Sequence, residues 1–530
     1  TAMDRWRPFD RALAGLSRRQ LLNVAWYLGT SALLLPATSR GLWAKPIFHH
    51  YPFTLGVASG DPAPDGVVLW TRLAPEPLAG GGMPMADVEV AFEVARDDGF
   101  ADIVQSGTAL ARPEFGHAVH VELSGLEPGR VYWYRFIAGD EASPTGRTKT
   151  APAAGAPVDR LRFAFCGCNH FETGYFTAFR ELAREDLDFV FHTGDYIYEY
   201  RASGGEEPRV RQHHGDEIYT ITDYRNRYAQ YKADPDFKAA HAAAPFIVTW
   251  DDHEVDNNWA AAIDQDGTPP EVFVLRRAAA YQAYYETMPL RRASLPTPDH
   301  LQLYRRLDFG GLMAFNALDT RQYRSDQACG DGYHDDCAEA AAPGRTMLGE
   351  AQERWLDDQL RRSGARWNVL AQQIPIFGRN FAAADQGGTW HMDKWDGYLA
   401  ARDRLMTTLQ ERGPGDVVFL SGDVHSHWGA DVPARLEQPD GAKVAVEFTN
   451  SSASSGGDGS DVRDYWEKIQ PDNPHIQYHS NRRGYVTCEV TPERWRTDFK
   501  ILDRVEVSDG TLTTGGSLVV DHGEPRAQKA

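Results

Sequence analysis

Cysteine is scarce in this chain. Five in 530 residues are too few for a disulfide scaffold, and the odd number leaves one unpaired unless it joins another chain or holds a metal. Long apolar runs are missing too: the uncharged stretch at residues 24–36 falls short of the roughly 20 residues that a membrane-spanning helix needs. Basic residues are outnumbered, 55 Lys and Arg against 75 Asp and Glu. The resulting −20 disfavours a non-specific polyanion binder, or attraction to an anionic membrane, while leaving room for a local cationic site or bound metals. With 31 prolines and 42% apolar residues the composition is that of an ordinary globular protein, neither disordered nor collagen-like. No internal repeat has the period of a solenoid, and no Gly-x-Ser-x-Gly elbow announces a serine hydrolase. Length alone allows two to four domains.

Ahead of the apolar stretch stands Ser17-Arg18-Arg19-Gln20-Leu21-Leu22. Paired arginines, an uncharged core and polar residues after it have the form of a twin-arginine export signal; a short buried helix with a basic cap is the alternative. On the first reading residues 1–45 are a signal segment that engages the twin-arginine (Tat) export machinery and is then removed. The mature protein would be periplasmic or secreted, without a stable membrane anchor. It would cross the membrane already folded, which suits a protein that loads a metal before export.

Residues 46–152 carry short alternating or β-branched runs, such as Gly66-Val67-Val68-Leu69-Trp70, separated by Gly, Pro and Asp turns. That spacing predicts an all-β sandwich. The turn Leu126-Glu127-Pro128-Gly129-Arg130-Val131-Tyr132 is similar to the one before the penultimate strand of fibronectin III-like domains, where a tyrosine hydroxyl ties back to the backbone. An Ala-, Pro- and Gly-rich linker follows at residues 151–157. Over residues 158–505 apolar runs of strand length alternate with helical patterns, which predicts an α/β domain of layered mixed sheets with flanking helices. Residues 506–530 read as a C-terminal tail.

Four of these runs end in polar clusters: Cys166-Gly167-Cys168-Asn169-His170, His192-Thr193-Gly194-Asp195-Tyr196-Ile197-Tyr198, Asp251-Asp252-His253-Glu254-Val255-Asp256-Asn257-Asn258, and Gly422-Asp423-Val424-His425-Ser426-His427. One such cluster is usually a solvated turn. Four in one domain point to a common site, because ligands of open α/β sheets bind beyond the carboxyl ends of the strands. Carboxylate, imidazole and amide groups suit hard or borderline cations, and a thiolate and a phenolate favour a metal such as iron over calcium or magnesium alone. Two adjacent cations sharing a carboxylate clamp a phosphate ester and generate a bound hydroxide near neutral pH. Phosphate-ester hydrolysis is therefore the leading chemical reading.

The strings FTLGVASGDP, HTGDYIYEY, TWDDHEVDNNW, DTRQYRSDQ, LSGDVHSHW and RRGYVTCEVTPERW, running from Phe53 to Trp495, resemble those of PhoD-family alkaline phosphatases of the calcineurin-like metallophosphatase superfamily. The resemblance implies a phosphomonoesterase or phosphodiesterase with a mixed Fe3+ and Ca2+ centre, acting on a small phosphate ester without specific nucleic-acid recognition. Carried over by position, it implies Cys168, Asp195 and Tyr198 as ligands, with Asp195 bridging and Tyr198 on iron. It also implies Asp252 and Asn257, one or both, together with Asp423 and His425. His253 takes the place of a general acid or phosphate-orienting imidazole. Arg321 either holds a phosphate oxygen through its planar fork or pairs with Asp319.

The chain departs from the family at the first cluster, where Gly167-Cys168-Asn169 replaces Ser-Cys-Gln and Cys166 is extra. Cys166 ends an apolar strand, which favours packing over ligation. Gln373 stands where other metallophosphatases place a histidine, and reads better as an ordinary strand-end amide. Cys329 and Cys337, in a Gly- and Asp-rich loop, are expected to form a local disulfide, and Cys488 to lie in the core. The pairs His49-His50 and His213-His214 read as surface. A surface binding protein with a degenerate metal domain is the rival reading, and the intact Asp195, Asp252, Asp423 and His425 argue against it.

Overall fold

The computed structural model describes residues 46–203, 209–335, 337–382, 388–413 and 415–530. The twin-arginine segment lies outside the described residues. Two large sheets face each other. The first has ten strands, in the order Gln528–Lys529, Leu512–Asp521, Arg494–Leu502, Gly484–Val490, Leu161–Cys166, Phe189–His192, Phe246–Val248, Val57–Ala63, Gly66–Arg72, Ala118–Glu122. The second has eight strands, of which Met313–Ala317, Trp367–Ala371, Asp416–Ser421 and Lys443–Thr449 run parallel at its centre.

Side chains alternate across these strands, as a two-residue period requires. Phe163 and Phe165 point into the space between the sheets with Phe189, Phe191, Phe315, Val369 and Val418, whereas Ala164 and Cys166 point to the helical layer with Phe176, Phe179 and Trp250. Phe189 stacks at 4.6 Å on both Phe163 and Phe309, so the two sheets interlock through rings. Truncating one such buried ring costs about 3–5 kcal/mol. Cys166 thus packs, as expected of a strand-end thiol, and Cys488 lies in the core between the sheets. The helices carry sequence-coded starts: Thr220 and Asp223 form a reciprocal capping box for Ile221–Lys232, and Asp234 caps Pro235–Ala243, which opens on proline.

A five-stranded sheet built on Val88–Ala95 and Val131–Ala138 packs over Val57–Ala63, Gly66–Arg72 and Ala118–Glu122, with Val67, Leu69, Val90, Phe92, Val119, Tyr134 and Phe136 between them. The leading segment is therefore strand-rich and two-layered. In the expected tyrosine turn, the Glu127 backbone N–H donates to the buried Tyr132 hydroxyl at 2.9 Å. One layer of this segment belongs to the ten-stranded sheet: Val57–Ala63 lies parallel to Phe246–Val248, with Gly60 opposite Phe246. Alternation in the sequence marks the strands but not their partners across a boundary.

At the other end, residues 506–530 do more than trail. Leu512–Asp521 pairs antiparallel with Arg494–Leu502 and extends the ten-stranded sheet, so this part of the tail is a structural strand. Cys329 and Cys337 form a disulfide. The two histidine pairs split: His49, His50 and His214 are exposed, but His213 is buried, with Nδ1 on the Tyr200 carbonyl and Nε2 on the Tyr231 hydroxyl. Among the described residues no helix is long and apolar enough to cross a membrane.

Candidate metal centre

Three parallel strands of the first sheet end at Cys166, His192 and Val248, and Asp416–Ser421 of the second sheet ends nearby, so all four polar clusters meet at one rim. The loops are drawn together tightly. Gly194 has φ 113°, and a Cβ there would lie 2.3 Å from the Asp251 backbone nitrogen; only glycine lets the Asp195 loop approach the Asp251 loop. A Cβ on Gly167 would sit 2.2 Å from Thr193 Oγ1, so the departure from serine at this position accompanies close loop packing. Asn169 stitches two loops, donating to the Tyr196 carbonyl at 2.9 Å and meeting His192 Nε2 at 2.9 Å.

Cys168, Asp195, Asp423 and His425 all adopt positive φ, between 50° and 68°. Such backbone is disfavoured for residues with a Cβ, by about 1–3 kcal/mol each, and concentrates where function requires it. Here it turns four chemically active side chains toward one another.

The first group is Cys168, Asp195 and His425, whose ligand atoms lie within 4.8 Å of one another. The Tyr198 hydroxyl joins it, 2.9 Å from Asp195 Oδ2, 3.2 Å from His425 Nε2 and 2.7 Å from Ser455 Oγ. The second group is Asp251, Asp252 and Asp423. Asp195 and Asp252 also cluster with His253, so Asp195 lies between the two groups. Asp195 Oδ1 and Asp251 Oδ2 are buried and have no hydrogen-bond partner.

Electrostatics point the same way. Burial, reinforced by Asp195, Asp251 and Asp423, pushes the Cys168 thiol well up. Burial likewise raises the Tyr198 phenol, with Asp195 and Cys168 adding to it, and raises Asp195 and Asp251. Burial lowers His425. Each shift favours the neutral form of a group that would have to be charged, or an unprotonated imidazole, to bind a metal. Cations placed among these groups would displace the protons and satisfy the orphaned oxygens, so the donor set fits metal ions.

Behind the acidic group stands a layer of fixed positive charge. Arg321 is wholly buried; its Nε donates to Asp251 at 2.5 Å, Nη1 to both oxygens of Asp393 at 3.1 Å and Nη2 to Asp423 at 3.0 Å. Neither expectation for Arg321 describes this side chain. Its guanidinium is enclosed by carboxylates rather than presented to a substrate phosphate, and it does not reach Asp319, which takes the backbone N–H of Arg321 and the backbone and side-chain amides of Gln322. Lys394 Nζ bridges Asp393, at 2.9 Å, and Asp423. Burial would raise Asp252, but Arg321 and His253 outweigh it and hold that carboxyl below its usual range.

His253 is positioned by Glu199, whose carboxylate takes Nδ1 at 2.8 Å. Burial opposes its charged form, yet Glu199, Asp195 and Asp252 prevail and hold it up as an imidazolium. Asn257 is not brought into the cluster: its side-chain amide donates to Gln265 Oε1 at 2.5 Å on the exposed side of the loop, and its backbone N–H goes to Glu199. Gln373 is a satisfied buried amide, bonded to Thr249, Thr320 and the Leu318 carbonyl.

Known proteins match most of this chain. The PhoD-like phosphatase profile covers residues 163–499, and that for the PhoD-like phosphatase N-terminal domain covers residues 39–152. The chain belongs to the PhoD-like phosphatase family. It is 50% identical over 508 residues to alkaline phosphatase D of Bacillus subtilis (strain 168), spanning 95% of this chain and 87% of the relative. A solved structure of PhoD superposes with a TM-score of 0.90 at 50% identity, covering 92% of this chain and 93% of its own. The PhoD-like chain described here is accordingly a phosphoric-ester hydrolase.

The sequence reading missed Asp251, Glu199, Asp393 and Lys394. Asp251 adjoins Asp252, and alternation alone does not tell which of two neighbouring carboxylates turns inward. Glu199 directly follows Tyr198 and could have been flagged as a partner for His253. Asp393 and Lys394 sit in a loop that no strand signal marks.

Proposed function

We propose that this protein is an exported phosphomonoesterase or phosphodiesterase whose Cys168, Asp195, Tyr198 and His425 hold Fe3+, and whose Asp251, Asp252 and Asp423 hold Ca2+, with Asp195 between them. The observation that carries this is the meeting of a thiol, a phenol, an imidazole and four carboxylates around two orphaned buried oxygens. When bound, the cations would polarise the phosphoryl oxygens and lower the pKa of the attacking water, supplying hydroxide near neutral pH.

The chain's own residues do the rest. Asp252 and Asp423 stay ordered by Arg321, and Asp252 Oδ2 also accepts the Asn258 backbone N–H at 2.8 Å. With Nδ1 committed to Glu199, His253 has Nε2 as the proton-bearing atom for a phosphate oxygen or for the departing alkoxide. The Tyr132 tie supports reading the leading layers as a fibronectin III-like sandwich. Paired Arg18-Arg19 before an apolar run supports export through the twin-arginine route to a periplasmic or secreted location.

Elemental analysis of protein purified without chelators tests the site as a whole. Iron and calcium are expected, with a purple or brown absorbance from tyrosinate-to-iron charge transfer, and chelation should abolish activity. Asp195→Asn should lower kcat at least a hundredfold while leaving the fold intact, removing a carboxylate placed between the two cations. A colourless, chelator-resistant enzyme would refute the assignment.

A further inference from the structure

Between Cys329 and Cys337, which are joined by a disulfide, stands Tyr333, 55% exposed. Its strand Tyr333–Asp335 pairs antiparallel with Thr389–His391, and the Met392 backbone N–H donates to the Gly332 carbonyl at 2.8 Å. A covalent loop closure and a strand pairing thus hold the backbone that carries this half-exposed ring.

What surrounds Tyr333 connects it to the metal cleft by two routes. On one side its ring meets His391 edge-on at 4.6 Å; the His391 carbonyl accepts the Lys394 backbone N–H, and Lys394 Nζ pairs with Asp423. On the other side its ring meets Phe381 edge-on at 4.8 Å, and Phe381 meets Tyr465 at 5.4 Å. Two residues before Tyr465, Arg463 donates from Nε to Ser426 Oγ at 2.8 Å and from Nη2 to the Val424 and His425 carbonyls at 3.2 and 3.3 Å. The contacts run in a ring that starts at Asp423 and returns at His425. Tyr333 is its most exposed member, and Lys394 and Arg463 come between the tyrosine and the candidate ligands along this chain of contacts.

An isolated exposed aromatic needs no explanation. This one stands on a disulfide-closed loop that touches the Asp252 loop, where Asp331 Oδ2 accepts the Asn258 side-chain amide at 2.7 Å, and its ring contacts lead toward Lys394 and Arg463. A rigid ring offers stacking area at little entropic cost. We infer that Tyr333 is a stacking platform for a planar ring on the esterified group, so that the cleft prefers phosphate esters of aryl alcohols or nucleosides over those of small alkyl alcohols. The inference rests on the phosphate-ester reading of the metal centre.

The test measures inhibition of the metal-loaded full chain by phenylphosphonate, a nucleoside phosphonate and methylphosphonate against one chromogenic phosphate ester. Tyr333→Ala should weaken inhibition by phenylphosphonate, the nucleoside phosphonate or both about tenfold, as loss of one stacking contact does. Methylphosphonate should change less than about twofold, and Tyr333→Phe should match the unmodified protein. A loss confined to one ring-bearing inhibitor identifies the source of the ring. Equal loss for all three inhibitors, or no loss for any, would overturn the inference. Thermal midpoints of both variants confirm that they fold. If the unmodified, metal-loaded protein does not hydrolyse the chromogenic ester, the phosphate-ester reading of the metal centre falls, and this inference with it.

Discussion

Replacing Arg321 by methionine tests whether the acidic cluster depends on built-in counter-charge. Four hydrogen bonds at 2.5–3.1 Å would vanish, to Asp251, to both oxygens of Asp393 and to Asp423, along with a longer contact at 3.7 Å to Asp252. Charge-assisted bonds are worth about 1.5–3 kcal/mol each, so a simple sum gives an upper bound of about 6–12 kcal/mol. The loss is smaller, because Lys394 and Arg324 still hold Asp393 and the remaining carboxylates can take up protons. Removing one partner of a buried ionic network typically costs about 3–5 kcal/mol, and that is the expected deficit in denaturant unfolding measured with chelator present. Added cations should shrink the deficit, since they neutralise three of these four carboxylates, Asp251, Asp252 and Asp423. Arg321→Lys, which keeps the charge but loses the fork, should recover only about half of it. If Arg321→Met in chelator lies within about 1 kcal/mol of the unmodified protein, the carboxylates do not rely on this guanidinium and the reasoning is wrong.

Two further outcomes follow from residues away from the metal centre. Tyr132→Phe leaves the Glu127 N–H without its partner and should destabilise the protein by about 1–3 kcal/mol with kcat unchanged; equal stability would show that water replaces the tie. Glu447 is fully buried, and burial raises its carboxyl from 4.5 to about 7 against the bonds from Ser421 and from the Ile376 and Phe377 N–H groups. The folded state therefore holds an extra proton between those values, so stability is full below pH 4.5 and falls by about 3 kcal/mol as pH rises to 7. Glu447→Gln should flatten that slope in denaturation curves taken across pH 5 to 7, and an unchanged slope would rule Glu447 out as its source.

Much of this site is legible in the sequence, because its ligand types sit where apolar strands stop. Cys168, Asp195, Tyr198, Asp252, Asp423 and His425 meet as their loops suggested, and their positive-φ backbone explains how short loops aim them inward. Asn257 fails because one turn further along the same loop faces solvent, a rotation that residue order does not encode. For Arg321 neither a phosphate oxygen nor the nearby Asp319 is the partner; Asp251, Asp393 and Asp423, which take its guanidinium, come from three segments distant in sequence. Fold class followed from periodicity, while the strand at Leu512–Asp521 was hidden by its glycines and threonines, which pack on an exposed edge without an apolar rhythm.

The pairing of Val57–Ala63 with Phe246–Val248 also has a bearing on how the chain is made. On the ribosome, the leading strands emerge long before their parallel neighbour, and the nascent polypeptide carries an open strand edge until Phe246–Val248 arrives to close it. A gene cut at residue 152 would leave that edge bare on one fragment and its complement bare on the other. The two pieces should be poorly soluble apart, and should reassemble when expressed together.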